Sequence, residues 1–213
     1  MKHLLIVGAR GWGREVYDLS IRTKEYVNGE YDVKGFLDSK ANALEGLRGD
    51  FPPIICAPEN YIVEEDDVFI IALGDNNWRS YYAKIIEEKG GNFITMIDTH
   101  VNLKPTAKIG EGSIITGYVS VSDNVTIGKH VVVHGFSTLG HDVVVNDYST
   151  ILSYVFLGGY AEVGEFSTMN PKSMIIPNKK VGNNVVVGAG SVVMRNIKDG
   201  LHVFGNPAIK IQY

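Results

Sequence analysis

The 213-residue chain has one cysteine, Cys56, only seven prolines, little net charge and no long apolar run. A single cysteine closes no intrachain disulfide and supplies no thiolate cluster, so a reducing, cytoplasmic setting is expected. A net charge of −4 provides no general attraction to nucleic acid or to an anionic membrane surface, and no nucleic-acid motif or basic amphipathic helix is present. The opening run Leu4, Leu5, Ile6, Val7 stops at Gly8 and is followed by Arg10 and Arg14, which is too short for a signal h-region or a membrane span. Disorder is excluded by the opposite kind of count: 45% hydrophobic and 21% charged residues are an ordinary globular balance. What the chain has in excess is glycine, 24 residues, and hence many tight turns.

Those turns are periodic. Stepping by six from Ile109 meets Ile115, Val121, Ile127, Val133, Leu139, Val145, Ile151, Leu157, Val163, Met169, Ile175, Val181, Val187 and Val193, all aliphatic or Met. If about one residue in three were aliphatic, such a run would arise roughly once in 10⁴ sequences. The following position is often Gly (Gly110, Gly128, Gly140, Gly158, Gly164, Gly182, Gly188), and the fifth is mostly small or β-branched. A period of six is neither helical nor simply alternating. It predicts a short strand that buries one aliphatic residue and then turns, with three such units closing a triangular coil of eighteen residues, and coils stacking as parallel strands. Lys179, Ile176 and Met194 depart from the small-residue columns and are expected at local bends or near the cap. No insertion shifts the frame between residues 109 and 193.

Residues 1–100 read differently. Lys2 to Ala9 predicts a buried strand, ending at Gly8-Ala9-Arg10-Gly11-Trp12-Gly13, with a helix from Arg14 to about Tyr26. Further strands are expected at Asp32–Asp38, Val68–Leu73 and Phe93–Ile97, with a helix near Trp78–Lys89. Alternation of this kind implies a small Rossmann-like parallel sheet with a ligand crevice at the carboxyl ends of its strands. The spacing Gly8-x-x-Gly11-x-Gly13 is not the G-x-G-x-x-G fingerprint, so a nicotinamide cofactor is disfavoured. The glycine turn either admits a phosphate to a helix N-terminus or only permits tight packing. Asp38 either accepts bonds from a ribose or base or begins a turn, and Gly74-Asp75-Asn76-Asn77-Trp78-Arg79 places amides and a cation after the third predicted strand.

Six histidines compete for proton transfer. His3, His100 and His202 read as structural, and His130 as a solvated turn residue. His141, in Leu139-Gly140-His141-Asp142, follows a coil corner. There Asp142 either fixes the tautomer of an outward-facing base or forms an ordinary surface pair. Gly159, eighteen residues on, offers a backbone N–H with no side chain in front of it.

The repeat resembles the hexapeptide-repeat acyltransferases, whose coils wind as a left-handed parallel β-helix and which usually form trimers. Combined with the three glycine and acidic stretches of the first half, it resembles the nucleotide-sugar acetyltransferases of the bacillosamine, perosamine and sialic-acid type. The resemblance implies a nucleotide-sugar-binding α/β domain over residues 1–100 and a left-handed β-helix acyltransferase domain with a C-terminal tail over 101–213. It further implies acetyl-CoA as cosubstrate, a homotrimer with the site between adjacent prisms, and no metal. His141 becomes the general base, with Asp142 orienting it. Gly159, Pro171, Ala189 and Pro207, the last within Gly205-Asn206-Pro207-Ala208, become the CoA contacts. Gly8, Gly11, Trp12, Asp38, Gly74, Asn76, Arg79 and His134 become the acceptor side. Three departures fall on that acceptor side: Trp12 where many relatives have histidine, His134 where asparagine is common, and Thr150 where some carry a second histidine. The expected activity is acetyl transfer to an amino group, or a hydroxyl, of a nucleotide-linked sugar. The competing readings are a non-catalytic nucleotide-sugar binder or scaffold, and a zinc-dependent hydratase or hydrolase using His130, His134 and His141.

Overall fold

A computed structural model of the protein describes residues 1–211. It divides into two compact units, Met1–Thr99 and the chain from His100 onward.

The first unit is a parallel sheet with flanking helices. Its elements are β1 (Lys2–Val7), α1 (Gly11–Ser20), α2 (Lys24–Val27), β2 (Tyr31–Leu37), β3 (Ile54–Cys56), β4 (Asp67–Ile71), α3 (Asn76–Glu88) and β5 (Asn92–Phe93), in sheet order β3-β2-β1-β4-β5. Leu4, Leu5, Ile6 and Val7 are fully buried, as a central parallel strand covered on both faces demands. From β1 the chain goes to one side for β2 and β3 and to the other for β4 and β5, and the crevice of an open α/β sheet lies at that reversal. The long helix expected up to Tyr26 is two helices, because the Thr23 side chain accepts a bond from the Tyr26 N–H and starts a new one. The strand expected over 93–97 is also split, with only Asn92–Phe93 in this sheet. Edge strand β3 was not anticipated: three residues after Pro52-Pro53 carry no readable alternation. The one buried carboxylate of β4, Asp67, is held by Lys34 Nζ at 2.9 Å, the Tyr61 hydroxyl at 2.7 Å and the Glu64 N–H at 2.8 Å. Burial alone would raise its pKa, but these donors outweigh it and hold the carboxyl below the usual range.

The second unit is the predicted solenoid, a left-handed parallel β-helix. Two-residue strands pair in parallel with the strand eighteen residues away, as in Ser120↔Thr138 and Thr126↔Val144. One face carries strands beginning at 102, 120, 138, 156, 174 and 192, the next at 108, 126, 144, 162 and 180, and the third at 114, 132, 150, 168 and 186. The six-step aliphatic residues from Ile115 onward are all buried. Lys179 does not interrupt the coil, since strand Lys180–Val181 pairs normally with Glu162–Val163.

Two sequence features explain the regularity. Serines at the fifth position are fully buried, and most bind the next coil: Ser113 Oγ donates to the Gly128 carbonyl and accepts from the Val131 N–H, and Ser167 does the same with Gly182 and Val185. A larger side chain there would break both bonds. Each turn also has one residue near φ +60°, at Gly112, Tyr118, Asn124, His130 and every sixth position to Gly190. That conformation costs an L-residue about 1–2 kcal/mol, and stacking returns some of it. Tyr118, Phe136 and Tyr154 form a stacked column at 5.2 and 5.0 Å on one edge, and His130, Tyr148 and Phe166 form another at 5.1 and 5.0 Å. His130 is therefore not the solvated turn residue its sequence suggests. It is 0% exposed, in the place next to Gly112 where a Cβ would collide with its ring.

Candidate active site

Two sites emerge, one in each unit. In the first, a cleft of about 500 Å³ opens at the carboxyl ends of β1, β2 and β4. Gly8, Trp12, Asp38 and Gly74 line it, as their sequence context predicts. Gly8 needs its glycine: φ is +102°, and a Cβ would lie 2.9 Å from the Ala72 carbonyl oxygen. Gly13 needs its own because a Cβ would overlap the Gly8 carbonyl, so helix α1 sits directly on the turn. Asp38 ties the cleft floor, accepting from the Ala9 N–H at 2.9 Å and the Lys40 N–H at 2.8 Å.

Three acceptor-side residues of the first unit fall elsewhere. Gly11, Asn76 and Arg79 do not line the cleft. Arg79 is 0% exposed, and its guanidinium donates to the Leu73 carbonyl at 3.0 Å and to Asn76 Oδ1 at 3.1 Å. A cation so enclosed shapes the 73–76 loop from within and presents no charge to a ligand. The charge at the mouth belongs to Arg10, and the aromatic wall to Trp78 and Tyr82, which sequence reasoning missed. Their signal was available: positions four apart on a helix share a face. The two rings stack at 6.0 Å, and Trp78 is 56% exposed. Burial and the nearby Glu59 carboxylate push the Tyr82 hydroxyl up to about 12, leaving it a neutral donor at pH 7.

The second site lies on the solenoid edge between the first and second faces. His141 Nδ1 is 2.9 Å from Asp142 Oδ2, and the ring is 61% exposed. Asn124 and then His141 hold the Asp142 carboxyl below its usual range, with a further contribution from Tyr160. With Nδ1 facing an ionised carboxylate, that nitrogen carries the proton and Nε2 keeps its lone pair. Nε2 points at Gly159, where a Cβ would stand only 2.6 Å away. Gly140 and Gly158 are equally required: a Cβ would lie 2.9 Å from the Gly159 nitrogen at the first and 2.6 Å from the Pro177 nitrogen at the second. The Gly159 N–H has no acceptor among the described residues. On the neighbouring edge the equivalent amides of Lys129 and Asn183 donate to Asp147 and Asp199, whereas the residue one coil beyond Gly159 is Pro177, which offers no acceptor side chain. The result is a lone pair and a free backbone donor side by side.

The remaining predicted contacts are not on this edge. His134, Pro171 and Ala189 occupy turns between the third and first faces, and Pro207 follows a cis Asn206–Pro207 bond in the tail. Pro171, Ala189 and Pro207 are exposed. Among the described residues no group of three or more His, Cys, Asp or Glu is placed to hold a metal ion, so His130, His134 and His141 do not form one. None of the described helices is long and apolar enough to cross a membrane.

Comparison with known proteins agrees with this architecture. Residues 3–86 match the PglD N-terminal domain. The chain is 29% identical over 119 residues to UDP-N-acetylbacillosamine N-acetyltransferase of Bacillus subtilis, a match covering 54% of this chain and 51% of that protein, so it spans about half the length of that relative. The acetyltransferase domain of PglB from Neisseria gonorrhoeae is 27% identical with a TM-score of 0.87 over 99% of this chain and 100% of that one, and the same domain is known in complex with acetyl coenzyme A. PerB from Caulobacter crescentus, in complex with CoA and GDP-perosamine, shares the fold at 20% identity, covering 100% of this chain and 98% of that one with a TM-score of 0.85. Residues 3–86 thus match a PglD-type N-terminal domain, and the chain as a whole is similar, at 27% identity and in fold, to the acetyltransferase domain of PglB.

Proposed function

We propose that the protein is an acetyl-CoA-dependent acetyltransferase that acetylates an amino group of a nucleotide-linked sugar. The observation that carries this reading is the pairing of His141 Nε2 with the unengaged Gly159 N–H. Acyl transfer from a thioester needs a base for the acceptor proton and a donor for the developing oxyanion, and these groups supply one of each. His141 takes a proton from the amine as its nitrogen bonds to the thioester carbonyl carbon. The Gly159 amide holds the tetrahedral oxyanion. The imidazolium, steadied by Asp142, then returns the proton to the departing CoA sulfur. The cleft with Trp12, Trp78 and Tyr82 suits an aromatic base, and Arg10 a phosphate, in keeping with the nucleotide sugar held by PerB.

The active form is proposed to be a homotrimer. His141 and Gly159 stand on one edge of the prism, while His134, Pro171 and Ala189, proposed to meet the acceptor and the CoA chain, stand on another. A neighbouring copy presenting its second edge to the first would complete the site. A cytoplasmic location follows from the substrates. The test is CoA release with a panel of UDP-, GDP- and dTDP-linked amino sugars. His141→Ala should lower turnover by about 10²–10⁴-fold, the range for a lost general base. Undiminished turnover in that variant would overturn the assignment.

A further inference from the structure

We infer that Asn124, one coil before Asp142 on the same edge, is a positioning residue that holds the Asp142 carboxylate in the orientation in which it serves His141. The inference rests on the base assignment proposed above for His141. Asn124 Nδ2 lies 2.6 Å from Asp142 Oδ1, while Oδ2 of the same carboxylate meets His141 Nδ1 at 2.9 Å. An ionised carboxylate only accepts, so the amide nitrogen of Asn124 faces it and both oxygens are engaged by donors. This matters because the site is open: the His141 ring is 61% exposed, and the Asp142 side chain is not enclosed by packing. An unrestrained aspartate on such an edge would rotate toward water and release the ring. The 18-residue repeat provides the restraint, since it places position 124 directly beside position 142. Asn124 is itself anchored, its N–H donating to Thr106 Oγ1 at 2.9 Å. A purely conformational role is the competing explanation, because Asn124 has φ +58° and Asn tolerates that region. Glycine tolerates it better, so the two roles separate under substitution.

Asn124→Gly keeps the backbone and removes the amide. In the ¹⁵N spectrum of the histidine-labelled protein, His141 should be mainly the Nδ1–H tautomer, and in Asn124→Gly it should move toward the Nε2–H form that free imidazole favours. Turnover should fall about three- to tenfold, less than for removal of the base, with KM for acetyl-CoA unchanged. Asn124→Asp, which sets a second carboxylate against the first, should lose at least as much. In an Asp142→Ala background, Asn124→Gly should have no further effect. An unshifted tautomer with unchanged kcat in Asn124→Gly, or losses that add to those of Asp142→Ala, would overturn the inference. If His141→Ala proved fully active, the base assignment would fall by itself, and the tautomer spectrum would still judge Asn124.

Discussion

Both halves of the chain are built from parallel strands, yet they make their sites in opposite ways. In the first unit the cleft gathers Arg10, Trp12, Asp38, Trp78 and Tyr82 from three separate segments, because a sheet that reverses direction at β1 brings distant loop ends together. In the solenoid, Asn124, His141, Asp142, Gly159 and Tyr160 share an edge because they lie about one coil apart on a constant period of eighteen. A site on an open sheet depends on topology, whereas a site on a solenoid edge depends on arithmetic. The consequence is a different sensitivity to change. Both units depend on close backbone approaches at glycines, but the second also spreads left-handed backbone strain over many equivalent turns.

Substitutions can break or sharpen this contrast. The largest stability effect is expected at Gly13→Ala, whose Cβ collides with the Gly8 carbonyl. A loss of about 3 kcal/mol or more is expected where backbone must move, and calorimetry should show the transition of the first unit lowered while that of the solenoid persists. Next comes Asp67→Asn, which leaves Lys34 and Tyr61 without their shared carboxylate. About 2–3 kcal/mol should be lost, below the figure for a fully enclosed pair because Lys34 is a quarter exposed. The sign with pH follows from the shifts. The Asp67 carboxyl is lowered on folding, so its contribution is present above the ordinary carboxylate range near about pH 4 and lost as pH falls below it. Burial would lower the Lys34 pKa, but the bonds its ammonium donates to Glu64, Tyr61 and Asp67 outweigh it and raise the value, so its contribution is lost only as pH climbs beyond about 10.5. Urea titrations of wild type and Asp67→Asn at pH 7 and pH 3 should converge at the lower pH.

Trp78→Ala tests the cleft without touching the fold. Stacking on an exposed ring contributes about 1–3 kcal/mol per base, so calorimetric affinity for a nucleotide sugar should fall about tenfold with the melting temperature unchanged. The smallest effects are the most diagnostic of the solenoid. Lys172 and Phe136 share one edge and nearly the same backbone, with φ +61° and +63°. Lys172→Gly relieves the strain at an exposed residue and should stabilise by about 0.5–1 kcal/mol. Phe136→Gly relieves the same strain but removes a ring stacked on both Tyr118 and Tyr154, and should destabilise by about 1 kcal/mol. Denaturant melts of the two variants should therefore move in opposite directions.

Legibility followed the same division. The six-step column of aliphatic residues, the coil length and the adjacency of His141 to Gly159 were readable because each depends on one local rule repeated. The serine ladder was visible only as a preference for small residues, since its hydrogen bonds to the next coil appear once the coils are stacked. His130 was misread for the same reason: a histidine in a turn is ordinarily wet, and only Tyr148 in the next coil and the missing side chain of Gly112 bury it. In the first unit the position of Gly8, Trp12, Asp38 and Gly74 beside a crevice was readable from their place after strands. Arg79 was misassigned because a cation after a strand says nothing about which way its helix turns it; Trp78 stood within the same motif but was read only as its neighbour, and Tyr82 lies one helical turn beyond it.

Sequence alone determined the coil, its period and the imidazole–carboxylate pair at one corner, because these depend on steric and hydrophobic preferences acting within eighteen residues. Tertiary structure decided which groups remain available. It buried Arg79 and His130, left the Gly159 amide without an acceptor among the described residues and set Asn124 against Asp142. Availability depends on what the neighbouring coil or strand places within about 3 Å, the reach of a hydrogen bond, and no local rule specifies that neighbour.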